Sequence, residues 1–188
     1  MLRGENVKIA HVKKIIVEVK EIVMPVFVVI LFMTFIVSQN KIPSSSMVDT
    51  LRIGDRLLVS RLPFYYRSPE RGEIVVFDGP DGNPWIKRVV GMPGEVIEIK
   101  EGNIYINGTY FDESAYLREE GISALNPYEP TLIQYPYTVP EGHYFLMGDN
   151  RLESKDCRYI GAIADEDITG KALFKVYPFT EMGVLKGI

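Results

Sequence analysis

VIEIKEGNIYINGTYF, residues 96–111, carries the pattern that decides the fold class. Ile97 and Ile99 alternate with Glu98 and Lys100, and Ile104 and Ile106 flank Tyr105. A period of two sends one set of side chains to a core face and the other to the opposite face, the signature of half-buried strands. Glu101-Gly102-Asn103 separates the first two runs and reads as a turn with a loop glycine. Asn107-Gly108 is the strongest short hairpin signal in the chain, because both residue types tolerate the positive φ of a two-residue turn. Thr109-Tyr110-Phe111 returns from it. Asn107-Gly108-Thr109 also fits a glycosylation sequon, but a tight turn accounts for it without modification.

The pattern extends in both directions. Arg56 to Val59, Glu73 to Phe77 and Trp85 to Val90 are short apolar runs bounded by Gly and Pro, the last one stopped by Gly91-Met92-Pro93-Gly94. His143 to Met147 and Ala172 to Tyr177 read as later strands. Residues 112–140 are rich in Pro, Tyr and Glu without periodicity and read as an irregular insertion. Asp165-Glu166-Asp167 reads as a solvated run at a turn or helix start. Many short strands with close turns predict a mainly β fold, an antiparallel sheet that is coiled or barrel-like.

Composition narrows the function classes. A chain of 188 residues with a net charge of −4 gives no case for nucleic acid. Its single cysteine, Cys157, rules out an internal disulfide, and one Cys with two distant His (His11, His143) rules out a Cys-rich zinc site. No cofactor is expected.

Residues 22–40 hold no charge, and Ile22 to Val37 reads IVMPVFVVILFMTFIV. As a helix the apolar part would span roughly 24 Å, slightly short of a ~30 Å hydrocarbon core. A cleaved signal peptide fits the basic start, but the charged Lys8–Glu21 segment is long and a small-x-small end is missing. A buried core helix would show one apolar stripe rather than an apolar surface all round. A retained single transmembrane helix is therefore expected. Arg3, Lys8, Lys13, Lys14 and Lys20 precede it and only Lys41 follows closely, which puts the N-terminus in the cytoplasm. The expected organisation is a cytoplasmic segment 1–21, an anchor 22–40 and an extracytoplasmic catalytic domain 41–188 containing the 112–140 insertion.

Directly after the anchor stands Pro43-Ser44-Ser45-Ser46-Met47. If this segment is extended, Ser44 and Ser46 face one side, so one hydroxyl can attack while the other supports a developing oxyanion. The same cluster also reads as a linker. Lys87 lies on a strand with Trp85 and Val89 on its own face. Desolvation there would lower its pKa from ~10.4 and make it a base for a serine hydroxyl. A snorkelling lysine with its head in solvent is the plain alternative. A Ser46–His143–Asp149 triad is also conceivable. Gly148 to Arg158 is a dense polar loop in which Asp156 and Arg158 are spaced for an ion pair, and Ser154 offers a hydroxyl that could orient a lysine amine.

Four ordered segments, taken together, resemble the bacterial type I signal peptidases. They are Ile42-Pro43-Ser44-x-Ser46-Met47, Gly54-Asp55-Arg56-Leu57-Leu58-Val59, Ile86-Lys87-Arg88-Val89-Val90-Gly91-Met92-Pro93-Gly94-Glu95, and Gly148-Asp149-Asn150-Arg151-x-x-Ser154-x-Asp156-x-Arg158. The resemblance implies a membrane-bound serine endopeptidase on the outer face of the bacterial plasma membrane. Its partners would be exported preproteins and membrane lipid, with the secretion translocon a further candidate. By position, Ser46 looks like the nucleophile and Lys87 the general base. Ser44 and the Ser46 N–H would form the oxyanion hole, and Ser154 would orient Lys87. Asp149, Asp156 and Arg158 look like structural support. Ile42, Pro43, Met47, Leu51, Trp85 and Ile86 match positions lining shallow pockets for an Ala-x-Ala-like signal end. Two positions depart from the family's habit: Asp49 stands where Pro is usual, and Cys157 where Ser is frequent.

Two other readings compete with a signal-cleaving enzyme. A self-cleaving Ser/Lys peptidase of the phage-repressor type would need an N-terminal DNA-binding domain, which residues 1–40 do not supply. An inactive tethered β domain that binds peptides is opposed by the intact Ser46, Lys87 and Ser154.

Overall fold

The computed structural model describes residues 18–30, 37–48, 50–117, 119, 122–123, 125, 130–185 and 187. Asp49 lies outside them. The chain divides into two units, Met1–Ser38 and Gln39–Ile188. In the first, residues 18–30 form a helix (α1) whose large apolar side chains, Ile22 and Phe27 among them, are exposed. No helix among the described residues is long and apolar enough to cross a membrane, and part of the expected 22–40 anchor, residues 31–36, lies outside the described residues. Val37–Lys41, whose first four residues the uncharged run assigned to that anchor, is strand β1. Val37 is β-branched, and Ser38, Gln39 and Asn40 are polar, a composition suited to an edge strand rather than to hydrocarbon.

The second unit is built on two sheets, and every pairing with a defined register is antiparallel. The larger contains β1, β2 (Arg56–Ser60), β3 (Ile74–Asp78), β4 (Pro84–Gly91), β9 (His143–Met147), β10 (Ile163–Ala164), β11 (Ile168–Tyr177) and β12 (Gly183–Val184). Its order is β1-β2-β11-β3-β4-β9-β10, with β12 also on β11. The smaller sheet runs β7 (Thr109–Tyr110), β6 (Asn103–Ile106), β5 (Val96–Lys100), β8 (Tyr137–Thr138). Neither sheet closes, because β1 and β10 are both edges of the larger one, so the expected barrel-like closure is replaced by an open sheet. β11 explains why it coils without closing. Register shifts at Ile168/Gly170, Ala172/Phe174 and Lys175/Tyr177 bend this strand as it passes between β2 on one side and β3 then β12 on the other.

The hairpins form where residues 96–111 place them. Glu101 and Gly102 take φ of 51° and 77°, and Asn107 and Gly108 take 52° and 78°. These are the left-handed pairs that two-residue hairpin turns need. The insertion contributes β8, so residues 112–140 are less irregular than their composition implies.

Two apolar cores flank the β3–β4 pair. Val75, Phe77 and Val89 join one with Ile97, Ile104, Phe145 and Leu146, while Ile74, Val76 and Ile86 join the other with Ile42, Met47, Leu51 and Leu57. The alternation along β3 and β4 produces this division. Gly91 lets the smaller sheet dock, since a Cβ there would lie 2.8 Å from both Ile97 Cδ1 and Phe145 Cβ. Ile97 is fully buried in that contact. Ile97→Ala should cost about 2–5 kcal/mol through transfer loss and a residual cavity, read as a lower midpoint in urea unfolding with an unchanged slope.

Candidate active site

The serine segment is a turn rather than a strand. Val48 N donates to Ser45 O at 3.0 Å and Leu51 N to Met47 O at 2.7 Å. The expected extended geometry is therefore not the one adopted, yet Ser44 Oγ and Ser46 Oγ still come within 3.4 Å. The turn is tied to the Gly148–Arg158 loop. Asn150 N donates to Ser46 O at 3.0 Å, Asn150 Nδ2 to Ser45 O at 3.2 Å, and Ser45 Oγ to Glu153 Oε2 at 2.9 Å.

Lys87 enters from the middle of β4, opposite Val75 of β3. Its Nζ lies 2.7 Å from Ser46 Oγ, and both residues are buried. Burial lowers the lysine pKa to about 8, because the ammonium loses hydration that the nearby Asp156 and Asp149 charges only partly replace. The Trp85 ring stands over the amine, 5.4 Å from Nζ to the ring centroid.

The loop that faces this pair is held by three fully buried arginines. Arg88 Nε and Nη2 donate to the two oxygens of Asp149 at 2.9 and 2.7 Å, and its Nη1 to Gly72 O at 2.7 Å. Arg158 forks onto Asp156 at 2.9 and 3.0 Å and reaches back to Arg151 O at 2.7 Å. Arg151 forks onto Glu113 at 2.8 and 2.5 Å, bonds the Ser123 hydroxyl, and gives its Nε to Gly148 O at 2.9 Å. Burial works against the Asp156 carboxylate, but the Arg158 charge and the Gly148 N–H outweigh it and hold the pKa below the usual range. Asp156 also caps the short helix α2 (Cys157–Ile160) by accepting from Arg158 N. Cys157 is buried beneath, its thiol pushed up by burial and bonded by Leu146 N.

Ser154 is buried, and its Oγ makes no aligned hydrogen bond; the expected bond to Lys87 is not formed. The Ser154 hydroxyl is among the groups that help hold the Asp156 carboxyl below its usual range. Gly148 sets its place, since a Cβ there would fall 2.2 Å from Ser154 Oγ and 2.5 Å from Ser46 O.

A groove of about 620 Å³ opens beside the Ser–Lys pair. Ile42, Pro43, Trp85 and Ile86 line it. Met47 and Leu51 do not: both are fully buried in the second core, because the Ser45–Leu51 turn points them inward. His143 bonds the Glu141 carbonyl at the start of β9, and Asp149 is engaged by Arg88 and Thr50, so no Ser46–His143–Asp149 triad forms.

The model of the signal peptidase family, peptidase S26, matches residues 15–177. The chain belongs to the signal peptidase family. It is thus a serine peptidase, a hydrolase. Among its signal peptidase relatives, the probable signal peptidase I-2 of Synechocystis is 37% identical, covering 88% of this chain and 75% of that protein. Signal peptidase I T of Bacillus subtilis is 36% identical over 87% of this chain and 86% of its own length. Signal peptidase I S of the same organism is 33% identical over 96% and 98%.

Within this signal peptidase, sequence reasoning missed Arg88, Arg151, Glu113, Tyr116 and Thr50. Arg88 stood in plain view beside Lys87, but nothing local signalled a partner 61 residues away. Glu113 and Tyr116 sat in the insertion read as irregular, although Tyr116 lies under Arg88, 4.3 Å from guanidinium to ring centroid. The Arg88–Asp149 pair gives a test. Arg88→Met strands a buried carboxylate and should cost about 3–5 kcal/mol, whereas Arg88→Met with Asp149→Leu should recover much of that loss in urea unfolding.

Proposed function

We propose that this peptidase removes signal peptides from exported preproteins with Ser46 as nucleophile and Lys87 as general base. The observation that carries the reading is the buried 2.7 Å contact between Lys87 Nζ and Ser46 Oγ. With the amine neutral, Lys87 accepts the Ser46 proton as Oγ attacks the scissile carbonyl. The resulting ammonium then gives that proton to the leaving amine, and the neutral amine activates the water that hydrolyses the ester. The Ser44 hydroxyl, 3.4 Å from Ser46 Oγ, and the Ser46 N–H would support the oxyanion.

Burial supplies the amine in its working form. A pKa near 8 leaves roughly a tenth of Lys87 neutral at pH 7, against well under a thousandth for an unperturbed lysine. The groove's apolar wall of Ile42, Pro43 and Ile86 suits small residues such as those of an Ala-x-Ala signal end. The β1 edge would receive the peptide as an added strand. Ser154, buried in the same loop, would help to orient Lys87. The apolar run that begins at Ile22 and ends before β1 would anchor the chain, with 1–21 in the cytoplasm and the catalytic unit on the outer face. The exposed apolar surface of α1 supports an anchor.

The test is cleavage of a preprotein whose signal ends in Ala-x-Ala, with the new N-terminus sequenced. Ser46→Ala and Lys87→Met should each lower kcat by about 10²–10⁴-fold, the scale of a lost nucleophile or base. Retained cleavage by Lys87→Met would exclude the lysine as base. Wild-type kcat/KM should rise with pH through a midpoint near 8, because the neutral amine is the active form. The same substitution should raise the melting temperature near pH 7. A lysine whose folded pKa lies below its unfolded value costs stability below pH 8, and that cost fades as pH rises toward 10.5.

A further inference from the structure

Trp85 is held more firmly than a half-buried groove residue needs to be. Its Nε1 donates to Asp81 Oδ1 at 2.9 Å. Asp81 is itself fixed in the β3–β4 turn, accepting from Asn83 N and from Asn83 Nδ2, each at 3.1 Å. The turn closes on its own backbone through Gly79 N to Asn83 O and Gly82 N to Gly79 O, both 2.9 Å. Phe77 meets the indole edge-on, with centroids 6.1 Å apart.

Gly79 adds an independent observation. Its backbone does not take the left-handed conformation that usually selects glycine, yet a Cβ there would lie 2.4 Å from Trp85 Cδ1 and 2.5 Å from Nε1. Glycine is required by the ring, not by the turn. Bond, notch and edge contact all fix one position of one side chain. Asp81 and Trp85 both line the groove, and the ring stands over Lys87.

We propose that Asp81 is a positioning residue for substrate selection: its carboxylate pins the Trp85 indole into the Gly79 notch and thereby sets the groove's width beside Lys87. The inference rests on the groove being the peptide-binding cleft. With the ring pinned, the wall cannot retreat for a larger side chain. With the bond lost, the indole is free to swing out and the groove widens. Asp81 acts only through Trp85.

Trp85 is the only tryptophan in the chain, so fluorescence excited selectively at tryptophan, beyond the tyrosine absorption, reports this wall alone. The full chain in detergent, as wild type, Asp81→Ala and Asp81→Asn, would be measured for acrylamide quenching. The same proteins, with Trp85→Phe and Asp81→Ala/Trp85→Phe, would be measured for kcat/KM on paired substrates with Ala or Val at the cleavage position. Asp81→Ala should raise quenching and shrink the preference for Ala over Val by about tenfold, the scale on which a pocket wall separates side chains differing by a methylene or two. Asp81→Asn keeps an acceptor oxygen and should restore both readings. Trp85→Phe should lose discrimination similarly, with no further loss in the double variant. Wild-type quenching in Asp81→Ala would overturn the anchor. Raised quenching with unchanged discrimination would overturn the selection role. If the wild type cleaved neither substrate, the peptidase assignment of Ser46 and Lys87 would fall, while quenching would still decide whether Asp81 holds Trp85.

Discussion

Two opposing demands meet at Lys87. Its amine is buried, which disfavours the ammonium, yet it must stay within 2.7 Å of Ser46 Oγ without collapsing away from it. Desolvation alone would drive such a group toward solvent, as lysines usually snorkel. Three things keep it in place. β4 fixes its backbone between β3 and β9. Trp85 covers it from its own strand. The carboxylates of Asp156 and Asp149 stand near enough to moderate the loss of hydration, but each is already committed to an arginine, so neither takes the proton-bearing amine for itself.

That last condition explains the polar density behind the site. A free carboxylate close to Lys87 would form an ordinary buried ion pair and hold the lysine charged. Here Asp149 is closed by Arg88 and Thr50, Asp156 by Arg158 and Gly148 N, and Glu113 by Arg151 and Tyr116. Such networks add little net stability over apolar packing, but they fix geometry when every member is satisfied. The loop they fix carries Asn150 and Gly148, which set the Ser46 carbonyl and the place of Ser154. The chain of constraint runs from buried arginines to loop to serine turn to lysine.

What was legible in the sequence follows from how local each cause is. Strand pattern and hairpin turns are local, and residues 96–111 fold as their alternation and Asn-Gly signal dictate. The Lys87–Ser46 contact spans 41 residues and was readable because chemistry demands a base and histidine is scarce. The ion pairs Arg88–Asp149 and Arg151–Glu113, 61 and 38 residues apart, left no local trace and no chemistry in the sequence demanded them, so Arg88 and Glu113 passed as ordinary. Met47 and Leu51 were misplaced for a related reason. Position relative to Ser46 suggested the groove, but the Ser45–Leu51 turn sends both into the core. The barrel-like expectation failed because strand count and turn spacing do not reveal whether edge strands meet.

The central claim is that the fold delivers to a serine hydroxyl a lysine that gives up its proton near pH 8. The direct measurement is the titration of Lys87 itself, by carbon-13 chemical shift at its ε-carbon in the folded wild-type protein, assigned by comparison with Lys87→Met. The account predicts a midpoint near 8. A midpoint above 10, that of a solvated lysine, would contradict it and leave Ser46 without its base.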